Sequence, residues 1–202
     1  MLNIILQLGL TAIIAYLIGS IPTGYIIVKT KTGEDIRTIG SGSTGATNVK
    51  RVLGKKWFFT TLLLDAFKGA LPVILAKFFV TVGTSVGIAP VIAAIAVIIG
   101  HSKPCFLNFK GGKSVASGVG TILALNFLVG AIIAIIWAAI TYTTKYVSVG
   151  SIIALFISPF VMFFLGAPIA YIAYCALGAL YIIYLHRENI KRLINGNENK
   201  VR

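Results

Sequence analysis

The sequence predicts an all-α integral membrane protein of about seven transmembrane helices, some of them short or kinked. Three observations carry that reading. Hydrophobic residues make up 57% of the 202 and charged residues only 11%, against roughly a quarter charged in ordinary soluble domains. The apolar residues fall in runs long enough to cross a bilayer, which takes about 20 residues as a helix. The cations, 18 Lys and Arg against 5 Asp and Glu, gather in three segments between those runs: 29–56, 101–113 and 186–202. A single polytopic membrane domain over 1–202 follows, with two polar loops and a basic tail.

The first run covers 2–28. Gly19-Ser20-Ile21-Pro22-Thr23-Gly24 interrupts it and predicts a kink in its second half. It starts at once, without a basic leader, so no cleavable signal sequence is expected. The next run, 57–80, holds Asp65 and Lys68, three residues apart and able to pair inside the bundle. A third covers 83–100. From 114 to 185 there are three blocks, 114–143, 147–165 and 167–185, with Lys145 and Gly166-Ala167-Pro168 between them.

Charge sets the orientation. Loops rich in Lys and Arg stay cytoplasmic. If all three basic segments do so, each pair is separated by an even number of crossings. Three blocks after 113 are one too few, so the 30-residue block is split at Asn126. That gives seven spans, with the N-terminus outside and the C-terminus and Lys145 cytoplasmic. The turns near 81–87, 126 and 166 then carry no charge. The span just after Lys113 is expected to be short, half-length or re-entrant, which is tolerated where it is buried in protein. Trp57 and Tyr146 read as interfacial anchors. Cys105 and Cys175, far apart in apolar surroundings, read as small buried hydrophobes and not as a disulfide.

A net charge of +13 fits the positive-inside pattern, and it also suits loops that bind anions. Nucleic acid is not the expected partner, because the cations sit in short loops between spans. The first loop packs glycines, hydroxyls, an amide and two cations into Gly40-Ser41-Gly42-Ser43-Thr44-Gly45-Ala46-Thr47-Asn48-Val49-Lys50-Arg51. Such a stretch turns backbone N–H groups, hydroxyls and a guanidinium toward phosphate oxygens. Its G-x-G-x-x-G match is no dinucleotide fingerprint, since no strand precedes it. The second loop ends Lys110-Gly111-Gly112-Lys113-Ser114. Leu107 stands where a nucleotide P-loop needs its first glycine. Two glycines between two ammonium groups, at the start of an apolar helix, still read as an anion nest. In the tail, His186 and Asn189 are three apart and share a helical face. No Cys/His metal cluster, Gly-x-Ser-x-Gly elbow or pair of acids for Mg²⁺ is present, so neither a metal nor a cofactor is expected.

Together these stretches resemble a known family. Gly19 to Tyr25, Gly40 to Lys55, Gly-His-x-x-Pro-x-Phe-Leu-x-Phe-Lys-Gly-Gly-Lys over 100–113, and His-Arg-Glu-Asn-Ile-x-Arg-Leu over 186–193 are similar to the acyl-phosphate:glycerol-3-phosphate acyltransferases of bacterial membranes, the PlsY family. The resemblance covers nearly the whole chain. It implies a seven-span protein of the bacterial cytoplasmic (inner) membrane with its site facing the cytoplasm. It implies transfer of a fatty acyl group from acyl phosphate to the 1-position of sn-glycerol 3-phosphate, giving lysophosphatidic acid and inorganic phosphate, in phospholipid synthesis. The family's motif residues fall on Ser41, Asn48 and Arg51, on Lys110, Gly111, Gly112 and Lys113, and on His186 and Asn189. Two positions depart from its pattern: Ser43 stands for the usual Asn, and Ser114 for the Gly expected after the second lysine.

An acyl phosphate is already activated, so the enzyme's task is to hold two anions together and stabilise the oxyanion. Arg51 and a lysine of the second loop are assigned to the phosphates. Ser41 and Asn48 are assigned to hydroxyl or carbonyl contacts, and His186 and Asn189 to orienting glycerol 3-phosphate. The general base is left between His186 and a substrate phosphate. The acyl chain is expected between spans, beside membrane lipid, in a protein acting as a monomer. A small anion transporter with broken helices and a lipid-binding scaffold are the rival classes. Against the transporter stands the clustering of polar groups at one interface.

Overall fold

The computed structural model describes residues 2–80 and 87–201. Among them the chain forms ten α-helices and no strand. Helix α1 (Leu2–Ser20) ends at Ile21-Pro22 and α2 (Thr23–Thr32) resumes beyond it, so the expected kink is a full break. Pro22 supplies no N–H to continue the ladder. Short α3 (Ala46–Leu53) closes the first loop and α4 (Lys55–Phe79) crosses back. Helix α5 (Ile88–Ser102) follows. The expected start of that span at Gly83, and most of the uncharged turn at 81–87, lie outside the described residues.

Helix α6 (Val115–Leu125) and α7 (Phe127–Thr144) meet at Asn126, the residue chosen to split the long block. Asn126 stops α6 in an extended conformation, and its side chain accepts the Val129 N–H as the N-cap of α7. Then come α8 (Val147–Phe164), α9 (Ile169–Leu185) and amphipathic α10 (Arg187–Ile194), the last bent 59° from α9. Among the described residues five helical stretches are long and apolar enough to span: Asn3–Thr32, Lys55–Phe78, Ile88–Leu107, Phe127–Thr144 and Val147–Phe164. Helix α9 is slightly shorter at 17 residues, and α6 has only 11. At 1.5 Å per residue α6 is about 16 Å long, half of a hydrocarbon core of about 30 Å. The short span expected after Lys113 is therefore present.

Lipid tails give no hydrophobic reason for helices to associate, so close backbone approach and internal polar bonds must hold the bundle. Helix α1 packs on α5 and α4 packs on α6. Gly19 and Gly100 lie against backbone of the facing helix in the first pair, as do Gly69 and Gly120 in the second. Lys77, in the last turn of α4, was read only as part of a span. Its Nζ donates to Ala124 O at 2.6 Å and Leu125 O at 2.8 Å and so caps the C-terminus of α6. The pair expected between Asp65 and Lys68 forms at 2.9 Å, with both side chains buried. Both cysteines are free thiols.

The helix ends sort the polar loops onto one end of the bundle. Residues 33–54, 103–114, 145–146 and 186–201 lie there. Trp57 sits at that end beneath Lys31 and Lys56, and Tyr146 beneath Lys200.

Candidate active site

A cavity of about 110 Å³ opens at that end. It gathers residues from all three basic segments. Ser41, Asn48 and Arg51 line it from the first loop, Lys113 from the second, and His186 and Asn189 from the tail. Lys110 does not reach it and is exposed, and neither Gly111 nor Gly112 lines it.

In the first loop, Asn48 is a structural hub and not an open ligand. Its Nδ2 donates to the carbonyls of Ile39 and Ser43, both at 2.9 Å, and of Ile36 at 3.3 Å. Its Oδ1 accepts the Ser41 N–H at 3.1 Å. The side chain is 1% exposed. A buried amide with every polar atom committed folds the loop around itself. This leaves the Ser41 side chain exposed at the cavity. Arg51 makes no hydrogen bond or ion pair among the described residues, so its guanidinium is open to an anion.

The second loop departs from the expected nest. The Gly111 N–H donates to Ser102 O at 3.2 Å and the Gly112 N–H to His101 O at 3.1 Å. Both donors are used up by the end of α5. The groups that do face the cavity come one residue later: Lys113, Ser114, and Val115 and Ala116 in the first turn of α6, where N–H groups lack helical partners. Ser114 adopts φ 60°, and its Oγ donates to Ile98 O at 2.9 Å. A left-handed backbone is least strained for glycine, the residue that the family resemblance leads one to expect at this position.

Lys113 Nζ donates to Asn189 Oδ1. Asn189 Nδ2 in turn donates to Glu198 Oε1 at 2.6 Å. Asn189 therefore bridges a cation and an anion. Burial lowers the Lys113 ammonium to about 8, with nearby Arg192 acting in the same direction. His186 Nδ1 lies 2.8 Å from Ile182 O. A carbonyl can only accept, so Nδ1 carries the proton and Nε2 is left as the ring's acceptor. Burial lowers the imidazole to about 4, and the Lys113 charge adds to this against the Ile182 bond. His186 is thus neutral at physiological pH.

Sequence reasoning missed several lining residues. Glu198 accepts Ser148 Oγ at 2.8 Å and pairs with Arg192 at 2.7 Å. Burial alone would raise its carboxyl, but bonds from Asn189, Arg192 and Ser148 outweigh this and hold it below its ordinary value. The available signal was scarcity: it is one of only 5 acids in the chain. Ser151, bonded to the Trp137 indole N–H at 3.2 Å, and Asp65 and His101 beneath the second loop also line the cavity. Ser151 and Asp65 sit inside spans, where the sequence reads as apolar wall or as a structural pair, and His101 stands in the last turn of α5, where the sequence reads as the start of the second polar segment.

Cations, a neutral imidazole and helix-terminal N–H groups, set at one end of a helical bundle whose spans are apolar, suit an integral membrane protein that binds an anion such as a phosphate group. Residues 9–196 match the family model described as glycerol-3-phosphate acyltransferase. The glycerol-3-phosphate acyltransferase of Nostoc sp. (strain PCC 7120) is 43% identical over 206 residues, covering 96% of this chain and 91% of that one. That of Acholeplasma laidlawii is 41% identical, with 98% and 94% covered. The crystal structure of PlsY (YgiH), an integral membrane glycerol 3-phosphate acyltransferase, in its glycerol 3-phosphate form superposes with a TM-score of 0.89 at 37% identity, covering 96% of each chain. Its lysophosphatidic acid form gives 0.85 at 36% identity. The chain belongs to the glycerol-3-phosphate acyltransferase family, of the PlsY type.

Proposed function

We propose that the protein transfers a fatty acyl group from acyl phosphate to the 1-hydroxyl of sn-glycerol 3-phosphate, on the cytoplasmic side of the bacterial inner membrane and as a monomer. The observation that carries this reading is the company that two cations of the cavity keep. Arg51 and Lys113 share one cavity with neutral His186 and with the apolar Phe58, Leu62, Val115 and Trp137. Short α6 explains the apolar side. It stands between α4, with 25 residues, and α7, with 18. Both neighbours reach roughly 10 Å or more beyond it, leaving a notch above its N-terminus. An acyl chain leaving a phosphate held at Lys113 has that notch to enter.

In this scheme Arg51 and Lys113 hold the phosphates, countering the repulsion of two anions at close range. Ser41 contributes a hydroxyl at the rim. His186 Nε2 accepts from the 1-hydroxyl and aims its oxygen at the acyl carbon. The oxygen–carbon bond forms and the carbon–oxygen bond to phosphate breaks. An imidazole held near 4 stores a proton poorly, so the departing phosphate, whose dianion is the stronger base, keeps it. Asn189 and Asn48 act one step back: Asn189 holds the Lys113 ammonium, and Asn48 holds the loop that carries Ser41. Gly111 and Gly112 act through packing.

The test is purified protein with acyl phosphate and glycerol 3-phosphate, following phosphate release and lysophosphatidate formation. Turnover is expected and should survive EDTA. Activity only with an acyl thioester, or only after added Mg²⁺, would sink the proposed donor or the metal-free scheme. Single cysteines at 45, 108, 145 and 195 should resist an impermeant outside reagent in intact cells; labelling at 145 would break the topology.

A further inference from the structure

His101 is buried at the end of α5 and lies outside the roles derived above. It touches three other parts of the fold. Its Nδ1 is 3.1 Å from Ser117 Oγ in α6 and 3.7 Å from Asp65 Oδ1 in α4. Its carbonyl accepts the Gly112 N–H at 3.1 Å. Its ring lies flush against the Gly112 Cα: a Cβ built there would run into Nε2, with ring carbons at 3.0 and 3.3 Å as the next atoms met. Asp65 is braced by Thr23 and by Lys68, whose Nζ also donates to Ile21 O at 2.6 Å. The ring thus stands on a buried polar network tied to the α1–α2 break, α4 and α6. The residue after Gly112 is Lys113, and α6 begins two residues further on.

We infer that His101 is a positioning residue for acyl transfer: its imidazole is the surface on which Gly112 lies, and it thereby fixes where Lys113 and the first turn of α6 stand at the cavity. Gly112 is glycine because of that ring and not because a phosphate approaches its N–H, which is already donated. This inference rests on the placement of phosphate at Lys113 proposed above.

The contact supplies its own test, because the neighbours of two adjacent glycines differ. At Gly112 the three nearest atoms to an added Cβ all belong to the His101 side chain. At Gly111 they are His101 O, Pro104 Cδ at 2.5 Å and Ser102 O at 3.0 Å, none of which His101→Ala removes. Gly112→Ala, Gly111→Ala and His101→Ala, with the two double variants, are compared by steady-state kinetics with each substrate varied in turn. Gly112→Ala should lower kcat/KM by on the order of 10²-fold, the loss that follows a displacement of about 1 Å in a reacting site. His101→Ala should raise the KM for the acyl donor. In the His101→Ala background Gly112→Ala should cost no more than about two-fold, the ordinary scatter of independent sites, while Gly111→Ala should cost as much as in the parent.

Losses that multiply at Gly112 would overturn the inference, as would equal relief at Gly111. A lower thermal midpoint with every KM unchanged would make His101 merely structural. Where Gly112→Ala yields no folded protein, the same relief is read as recovered folded yield in its double variant. An inactive parent with acyl phosphate would instead fail the donor proposal. The same comparison, run with whichever acyl donor supports turnover, would still decide the role of His101.

Discussion

The two glycine-rich loops look alike in sequence and are built in opposite ways. The first, around 40–48, is folded from inside by one side chain: the Asn48 amide binds backbone of Ile36, Ile39, Ser41 and Ser43. The second, 110–114, is held from outside. Its glycine N–H groups go to α5 carbonyls, and its Cα atoms lie against His101 and Pro104. The first consumes an amide to free a hydroxyl and a guanidinium. The second consumes its own N–H groups to deliver the next residue, Lys113. Glycine in a basic loop therefore signals close approach, and whether the approaching group is a ligand or the protein itself is a separate question.

The largest expected effect comes from emptying the first loop. Asn48→Ala would leave the Ser43 carbonyl and the Ser41 N–H without their partner, while the carbonyls of Ile36 and Ile39 would keep only the N–H groups of Ile39 and Gly42. Unsatisfied buried groups cost about 1–3 kcal/mol each, so the loop should lose its shape. Activity is expected to fall by on the order of 10²-fold or more, with a lower thermal midpoint. Near-normal kcat/KM in this variant would show that the loop does not depend on its amide.

Removing the open ligand of the same loop more gently is a smaller step. Arg51→Lys keeps the charge and loses the planar fork. The KM for a phosphate-bearing substrate should rise about tenfold, equivalent to about 1.4 kcal/mol, with the thermal midpoint unmoved because Arg51 has no hydrogen-bond or ion-pair partner to lose among the described residues. A lowered midpoint would assign Arg51 to the scaffold.

The second loop predicts a pH dependence. Lys113 loses its charge as pH rises through about 8. Its attraction for a phosphate should weaken in that direction, so the same KM should climb above pH 8 and flatten below it. Lys113→Arg, charged throughout, should abolish the climb even if its KM is worse. A parent KM flat to pH 9.5 would mean that Lys113 does not bind the titrating substrate. Folding has its own sign: the unfolded chain holds this proton more tightly, so stability from Lys113 rises between about pH 8 and the ordinary lysine value.

The smallest effect sharpens the backbone side of the comparison. Ser114→Gly relieves a left-handed conformation worth about 1–2 kcal/mol and gives up a hydrogen bond to Ile98 O worth about 1 kcal/mol. Net stability should move by less than about 1 kcal/mol. Ser114→Ala loses the bond and keeps the strain, so its thermal midpoint should lie below that of Ser114→Gly. The reverse order would show that the hydroxyl outweighs the backbone.

Most of the fold was legible because a membrane span announces itself in one dimension: about 20 apolar residues, bounded by charge. The break at Pro22, the split at Asn126 and the shortness of the helix after Lys113 were all readable from local chemistry. The three polar segments could be picked out as well, and within them the family resemblance pointed to Ser41, Arg51, Lys113 and His186, which the cavity brings together. Lys77 and Glu198 were passed over, one taken as part of an apolar run and the other as part of a tail. Their roles, capping α6 and anchoring Asn189, depend on residues 47 and 9 positions away.

Composition and pattern alone determined a helical membrane protein with its basic polar segments at one end, because burial in lipid and the need to keep cations out of it act on each segment separately. Which groups within that end are open to substrate was decided only by tertiary structure. Asn48 and Asn189 have the same amide as any ligand would, and Gly111 and Gly112 the same N–H groups as any nest. Each is taken by a protein partner that the chain brings to it from a neighbouring loop or helix. A hydrogen-bonding group has few bonds to give, and only the folded arrangement says where they go.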